Sequence, residues 1–487
     1  MGVGMYFEQF YLTCLAHASY MIGSGGEAAV VDPQRDVDIY LEAAEEQNLK
    51  ICHIFETHLH ADFVSGHKEL AARTGAKIYV SAEAHASLPH VPLHDGDEVA
   101  VGQIRLRVLA TPGHTSESIC LLVTDEESID AQRSAGNIAA QPWAVLTGDT
   151  LFIGDVGRPD LSPSHTPQQL AGLLYDSLHG KLMSLPDSVL VYPAHGAGSL
   201  CGRAMRAEKS STIGTERLTN YALQIPSRDE FIRQLTTNLP SRPEYFREDA
   251  EINRSGATML NELMPLPALS AAEVQKLLND DAYVLDVRPG DQFATGHVPG
   301  SINIALAGQF ASWAGSVLGI HSCPVLIAET DAQIEEARMR LARVGIEKLR
   351  GYLADGVERW KKAGLPLLAT PQIAVQELSQ LLNGNGSADG QPGIALIDVR
   401  REGEWQAGHV AQALLRPLDS FSRGLPEIDD KRKVAVHCKS GYRSMIACSL
   451  LERAGHRNVV NVKGGYDAWQ QAGLSQESSQ PSVVSSQ

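Results

Sequence analysis

Positive charge is in shortest supply in this chain: its 487 residues hold 41 Lys and Arg against 58 Asp and Glu, and no basic run breaks the net charge of −17. A surface of that sign repels phosphate backbones, which excludes nucleic acid as a partner and leaves small molecules. No apolar run approaches the roughly 20 residues that a membrane-spanning helix needs, so no membrane partner is expected. The opening Met1-Gly2-Val3-Gly4-Met5-Tyr6 has neither the basic start nor the apolar core of a secretory signal, and Tyr6 stands where a myristoylation signal requires Ser or Thr. Cysteine is scarce as well. Cys14, Cys52, Cys120, Cys201, Cys323, Cys438 and Cys448 form an odd set without a Cys-x-x-Cys pair, so no disulfide framework is indicated and a reducing cytoplasm fits.

What is present is the composition of a soluble globular protein, 43% hydrophobic and 20% charged. The length exceeds what one core supports, and three units are expected, at 1–250, 262–368 and 370–475, with a Ser/Gln-rich tail at 476–487 read as disordered. Pro265-Leu266-Pro267 opens the second unit, and 365–371 joins the second to the third. Residues 204–247 read as a charged, helical cap closing the first unit, broken at Pro240 and Pro243. Residues 125–142 and 383–392 read as surface loops.

The apolar runs at 51–55, 104–110, 144–147 and 189–192 read as buried strands. Each stops just before a residue able to bind metal: His58 and His60, His114 after Pro112-Gly113, Asp149 after Gly148, and His195 after Pro193-Ala194. One loop histidine is ordinarily a hydrogen-bonded loop residue. Four strand ends delivering His or Asp are how a rigid scaffold presents a site along one sheet edge.

These motifs, Thr57-His58-Leu59-His60-Ala61-Asp62, Thr111-Pro112-Gly113-His114-Thr115, Thr147-Gly148-Asp149-Thr150 and Pro193-Ala194-His195-Gly196, resemble the metallo-β-lactamase superfamily over residues 8–245. The resemblance implies an αββα sandwich with metal in a cleft at one sheet edge. Two-metal members carry a histidine after the aspartate, whereas this chain has Phe63, whose ring cannot coordinate. Within the superfamily, Glu56 to Asp62, Gly148 to Phe152 and Gly157-Arg158 are similar to the persulfide dioxygenase branch. That resemblance implies one Fe(II) per chain held by His58, His114 and Asp149, two histidines and a carboxylate with open positions. It leaves His60, Asp62 and His195 as orienting groups or an extra ligand. Arg158, Tyr192 and Cys201 are candidates for the substrate cleft. For Arg158 a structural salt bridge is an equal alternative, and for Cys201, packing beneath its glycine-rich loop.

A separate signal follows the short strand at 434–436, where His437-Cys438-Lys439-Ser440-Gly441-Tyr442-Arg443-Ser444 opens a helix. A cysteine there has backbone N–H groups and the positive helix end aimed at its sulfur, a cradle for a thiolate nucleophile or an anion. The loop resembles that of the rhodanese sulfurtransferases, one residue shorter between Cys438 and Arg443 than the related cradle of tyrosine phosphatases. The resemblance makes Cys438 the carrier of sulfane sulfur, with Lys439, Ser440, Gly441, Tyr442, Arg443 and Ser444 around it. Leu396 to Arg400, Glu404, Gly408-His409-Val410, Gly464-Gly465-Tyr466 and Trp469 belong to the same pattern.

The preceding segment repeats it. Leu285-Asp286-Val287-Arg288, Gly296-His297-Val298, Gly356 and Trp360 stand in the order of Ile397-Asp398-Val399-Arg400, Gly408-His409-Val410, Gly465 and Trp469, a duplicated α/β unit. Where the cysteine loop belongs, the first copy reads Ala328-Glu329-Thr330-Asp331, and Cys323 precedes the strand. That copy is expected to be inactive.

The expectation is therefore an α/β multidomain chain, a metallo-β-lactamase-like sandwich followed by two rhodanese domains with parallel sheets. It would oxidise a small thiol persulfide with dioxygen to sulfite and thiol, and pass sulfur through Cys438, making or consuming thiosulfate. Similar proteins often self-associate, so a homo-oligomer is expected. The alternatives are a zinc thioester hydrolase of the glyoxalase II type and a non-catalytic sulfur carrier or sensor.

Overall fold

The computed structural model describes residues 4–126, 141–239, 241–383, 394–428 and 432–477. The expected loop at 125–142, the loop at 383–392 and the tail at 476–487 fall largely outside these residues, as does Pro240. The chain divides into two compact units, residues 1–263 with 342–345 and residues 264–341 with 346–487.

Alternation of apolar and polar side chains builds the first unit. In the strand Ile104–Ala110, Ile104, Leu106 and Val108 are buried while Arg105 and Arg107 turn outward, the two-residue period of a strand with one face in a core. Two six-stranded sheets result. One runs Tyr6–Leu12, His17–Ser24, Glu27–Val31, Lys50–Phe55, Lys77–Ser81 and Val91–Leu93; the other runs Ser211–Thr212, Leu190–Pro193, Ala144–Gly148, Ile119–Asp125, Ile104–Ala110 and Glu98–Val101. Their facing sides share one cluster, Tyr20, Val31 and Phe55 from the first with Leu106, Leu121 and Leu146 from the second. The outer faces pack on helices: Val30, Ile54 and Ile78 against Tyr40 and Leu70, and Val145 and Val191 against Leu174, Leu178 and Phe231. That is an αββα sandwich. Fully burying one such Leu or Phe contributes about 1.5–3 kcal/mol.

Strand direction puts the ligand-type residues together. Ala144–Gly148 runs parallel to Leu190–Pro193, and Ile104–Ala110 and Ala144–Gly148 both run antiparallel to the strand between them. The three therefore end at one sheet edge, before His114, Asp149 and His195. The first sheet joins that edge through its own backbone: Ala18 N–H donates to Ala194 O, and Gly196 N–H to Ala16 O.

Residues 204–247 are largely helical as expected, but a strand precedes the helices and they are separate pieces. A two-residue strand, Ser211–Thr212, pairs antiparallel with Leu190–Pro193, and separate helices follow at Ile213–Thr219, Arg228–Thr236 and Tyr245–Ser255. The breaks have local causes: Thr212 and Ser227 cap new helices by accepting from Thr215 and Glu230 N–H, and Pro226 interrupts between them.

The second unit holds two copies of one design, each a five-stranded parallel sheet. The first runs Ala268–Leu269, Gly351–Leu353, Val325–Ile327, Val284–Asp286 and Ile302–Asn303; the second runs Gln372–Ile373, Val459–Val462, Lys433–His437, Ile394–Asp398 and Ala413–Leu415. The copies agree in detail. Arg288 chelates Asp286 as Arg400 chelates Asp398, and His297 stacks on Phe293 as His409 does on Trp405. No helix among the described residues is long and apolar enough to cross a membrane.

Leu106→Ala opens a cavity between two sheets that cannot collapse onto it, and is expected to cost the first unit about 2–5 kcal/mol in urea denaturation.

Candidate functional site

The loop that leaves the strand Lys50–Phe55 is fixed before it reaches the site. Asp32 accepts from Thr57 N–H at 2.7 Å and from the Thr57 hydroxyl at 2.8 Å. That hydroxyl, its proton committed, accepts from His58 Nδ1 at 3.0 Å, which leaves His58 Nε2 as a bare lone pair. His114 is set the same way, with Nδ1 donating to Arg158 O at 3.0 Å. Asp149 Oδ2 lies 3.3 Å from His114 Nε2 and 3.8 Å from His58 Nε2. All three side chains are buried, and their ligand atoms lie within 4.8 Å of one another.

Three electron-pair donors thus converge without a proton between them. His114 Nε2 and Asp149 Oδ2 have no hydrogen-bond partner among the described residues, and each orphaned buried group costs about 1–3 kcal/mol. Burial pushes His58 well below the usual imidazole range and lowers His114, so both are neutral bases. Burial works against the Asp149 anion, but His195 and His114 outweigh it and hold that carboxyl below its ordinary value. Two neutral imidazoles and a carboxylate around a buried void in hydrogen bonding suit a divalent transition metal, so the group fits a metal.

Beside them His60, Asp62 and His195 form a second buried group whose ligand atoms lie within 4.8 Å of one another. His195 donates from Nδ1 to Asp149 Oδ1 at 2.7 Å, and its Nε2 sits 2.9 Å from Asp62 Oδ2. Burial opposes its charge, yet Asp149 and Asp62 raise it well above the imidazole range. His60 turns Nε2 toward Asp32 at 3.1 Å and Glu56 at 3.7 Å; burial lowers its pKa, but Asp32 more than compensates. Phe63 is fully buried, with its ring 4.4 Å from that of His60 and 4.1 Å from that of His17. An apolar ring thus fills the space next to Asp62.

Of the cleft candidates, Arg158 braces the site. It chelates Asp160 at 2.7 and 2.9 Å and donates to Leu200 O, while its own N–H holds Cys201 O. Gly157 admits this approach: a Cβ there would fall 2.0 Å from Asp149 O and 2.8 Å from His114 Nδ1. Cys201 is buried with its sulfur in ligand range of Asp149 and His195. Burial, then the Asp62 and Asp149 charges, push that thiol far up, so it stays protonated. Tyr192 is a correction: it packs with Phe7, Tyr20 and Trp143 on the margin of the sandwich core, because its place in the strand turns it to the inter-sheet side.

Two residues escaped the sequence. Asn253, in the helix Tyr245–Ser255, is fully buried and uses its whole amide on the loop that carries His58: Nδ2 donates to His60 O at 2.7 Å and Phe63 O at 2.8 Å, and Oδ1 accepts from Ser65 N–H at 2.7 Å. His17 is fully buried beside Phe63, and neither ring nitrogen has a hydrogen-bond partner among the described residues. Only a motif-free asparagine and a strand histidine stood in the sequence at these places.

In the second unit, Cys438 follows the strand Lys433–His437 and precedes the helix Tyr442–Arg453. Gly441, at φ 106°, turns its N–H onto Cys438 Sγ at 3.1 Å. Tyr466 and Asp467 N–H hold the carbonyls of Cys438 and Lys439 at 2.8 and 2.9 Å. Lys439 and Ser440 are exposed, and Ser444 hydrogen-bonds Gly441 O and Asn461. Arg443 does not stand as a free cradle cation: Glu404 chelates it at 2.6 and 2.7 Å. In the first copy the matching loop is closed by its own chain, since Gln333 Oε1 accepts from Glu329 and Thr330 N–H. An anion finds those donors taken.

Comparison with known proteins agrees with this division. Residues 12–127 match the metallo-beta-lactamase superfamily, and residues 270–363 and 374–472 match the rhodanese-like domain. A hydroxyacylglutathione hydrolase of Rhodospirillum rubrum is 35% identical over 241 residues, 47% of this chain and 77% of that protein. The mitochondrial persulfide dioxygenase ETHE1 of Bos taurus is 28% identical over 230 residues, 46% of this chain and 77% of that protein. The crystal structure of a metallo-beta-lactamase from Staphylococcus aureus subsp. aureus COL is 33% identical, with a TM-score of 0.63, and covers 72% of this chain and 99% of that one.

Asn253→Asp keeps the acceptor and removes both donors to the loop; metal affinity, read by chelator competition, is expected to fall about 10–100-fold. At Glu404, burial favours the neutral acid, but Arg443 overrides it and lowers the carboxyl below its ordinary 4.5. A depressed carboxyl stabilises the fold above its unfolded value and loses that contribution as pH falls through the folded one. The second unit should thus be more stable than its Glu404→Gln variant at pH 7, and the gap should close on acidification below about 4.5, measured by denaturant titration at each pH.

Proposed function

The chain belongs to the metallo-beta-lactamase superfamily and carries two rhodanese-like domains, and from that premise we propose that it is an iron persulfide dioxygenase joined to a sulfurtransferase. The observation that carries the reading is the buried His58, His114 and Asp149 group, with the phenyl ring of Phe63 beside Asp62 where a further donor could stand. The adjoining His60, Asp62 and His195 lack a donor at Phe63, which makes them the weaker place for an ion, and two histidines with one carboxylate and open positions are the ligand pattern of non-haem iron oxygen chemistry. Iron(II) bound there supplies redox chemistry toward dioxygen that zinc(II) lacks. Similarity to a protein named persulfide dioxygenase supports the substrate class.

The overall reaction is R–S–SH + O2 + H2O → R–SH + H2SO3: the terminal sulfur is oxidised, the S–S bond breaks, and the inner sulfur leaves as thiol. The residues prepare the site. His58 and His114 keep their Nε2 lone pairs bare because Thr57 and Arg158 O take the opposite ring protons. His195 donates from Nδ1 to Asp149 and sets its Nε2 2.9 Å from Asp62, so the two carboxylates favour a proton there that a departing thiolate could take. Cys201, its thiol pushed up by burial and then by Asp62 and Asp149, lines the site. At the second site, Cys438 as a persulfide gives its outer sulfur to sulfite: Cys–S–S⁻ + SO3²⁻ → Cys–S⁻ + S2O3²⁻. Two activities in one chain raise the effective concentration of sulfite at the cysteine.

A zinc thioester hydrolase is the second reading, favoured by the 35% identity to a hydroxyacylglutathione hydrolase. The chemistry separates them. Iron-loaded protein given a small thiol persulfide is expected to consume dioxygen and form sulfite, and Cys438→Ser should keep that uptake while losing thiosulfate formation. Thioester hydrolysis without oxygen uptake would replace the proposal with the hydrolase, and loss of uptake in Cys438→Ser would end the separation of roles.

A further inference from the structure

We propose that the first rhodanese-like copy, itself without the cysteine, is the platform that holds the Cys438 loop in shape, and that Tyr442 is the positioning residue through which it acts. This rests on Cys438 being the sulfur carrier.

The helix Tyr442–Arg453 presents one face to the first copy. The Tyr442 hydroxyl donates to Ala305 O at 2.8 Å, Met445 lies against Gly290, and Ser449 Oγ accepts from Asn303 N–H at 3.0 Å. At the far end Glu452 faces His297 at 3.3 Å, and Arg453 donates to Asp281, Ala282 and Gly300 carbonyls at 3.0–3.3 Å. Positions 442, 445, 449, 452 and 453 follow the three-and-four spacing of one helix stripe. A helix docked along its length cannot rotate or slide, and its first turn fixes the Gly441 N–H aimed at Cys438 Sγ.

Tyr442 is the contact nearest the sulfur, next to the only φ-positive residue between Cys438 and the helix. Arg443, one position on, faces Glu404 of its own copy, so adjacent residues anchor the loop to the two copies. The acceptor is braced: Arg340 donates to Leu306 O and Gly308 O around it, and its guanidinium lies 5.6 Å from the Phe310 ring. Tyr442 asks the first copy only for a backbone carbonyl, and the other contacts use backbone, His297, Gly290 or the Asp281 carboxylate. None requires the anion cradle that the first copy lacks.

The test is Tyr442→Phe in the full chain, which removes one hydrogen bond and keeps the ring. Loss of one such bond corresponds to about a fivefold to tenfold effect, so the KM for thiosulfate is expected to rise by that factor while kcat changes less, with a matching change in the alkylation rate of Cys438 by iodoacetamide. Ser449→Ala, on the same face but away from the loop, should lower thermal stability and leave KM near the parent value. A Tyr442→Phe protein with parental KM and alkylation rate overturns the proposal, as does a loss confined to kcat that tracks the fraction of folded protein. Cys438→Ser, assayed alongside, separates the two readings: persistent transfer there rejects Cys438 as carrier, while the Cys438 alkylation rate in Tyr442→Phe still reports on the tether.

Discussion

Asp149 divides its two carboxylate oxygens between a proton-bearing histidine and a pair of bare imidazole nitrogens, and the first unit is arranged around that division. One oxygen takes the His195 proton, which Asp62 secures from the other side. The second oxygen faces His58 and His114 with no proton between them. Everything nearby keeps this asymmetry. Thr57 and Arg158 O set the histidine tautomers, Gly157 lets the backbone come close, and Asn253 clamps the loop from a helix far along the chain. Phe63 then closes the side where a two-metal site would need another donor.

The second unit solves a different problem with the same economy of charge. A buried sulfur needs hydrogen bonds but no fixed counterion, so Gly441 N–H faces Cys438 while Glu404 engages Arg443. In the first copy the equivalent donors are turned on Gln333, and what survives of the design is its sheet, its Asp286–Arg288 chelate and its docking face. One fold thus serves as reaction loop in one copy and as support in the other.

Much of this was legible in the chain because it is local. Short apolar runs ending in Thr-His, Gly-Asp or Ala-His mark both the strands and the groups at their ends, and the structure brings His58, His114 and Asp149 together. Repetition of Asp-Val-Arg and Gly-His-Val announced two parallel-sheet units. What was not legible depends on distant partners. Asn253 carries no motif, His17 is one histidine in an apolar strand, and the pairing of Arg443 with Glu404 neutralises a charge expected to serve the loop. Residues 204–247 misled for a different reason: helix-forming composition says nothing of the edge hydrogen bonds that drew Ser211–Thr212 into a strand.

The central claim, a one-metal iron site, is tested most directly by metal analysis of the full chain purified without added metal, beside its Phe63→His variant. The account predicts about one iron per chain in the parent, with second-ion binding appearing only when a donor replaces the phenyl ring. Two zinc ions per chain in the parent would contradict it.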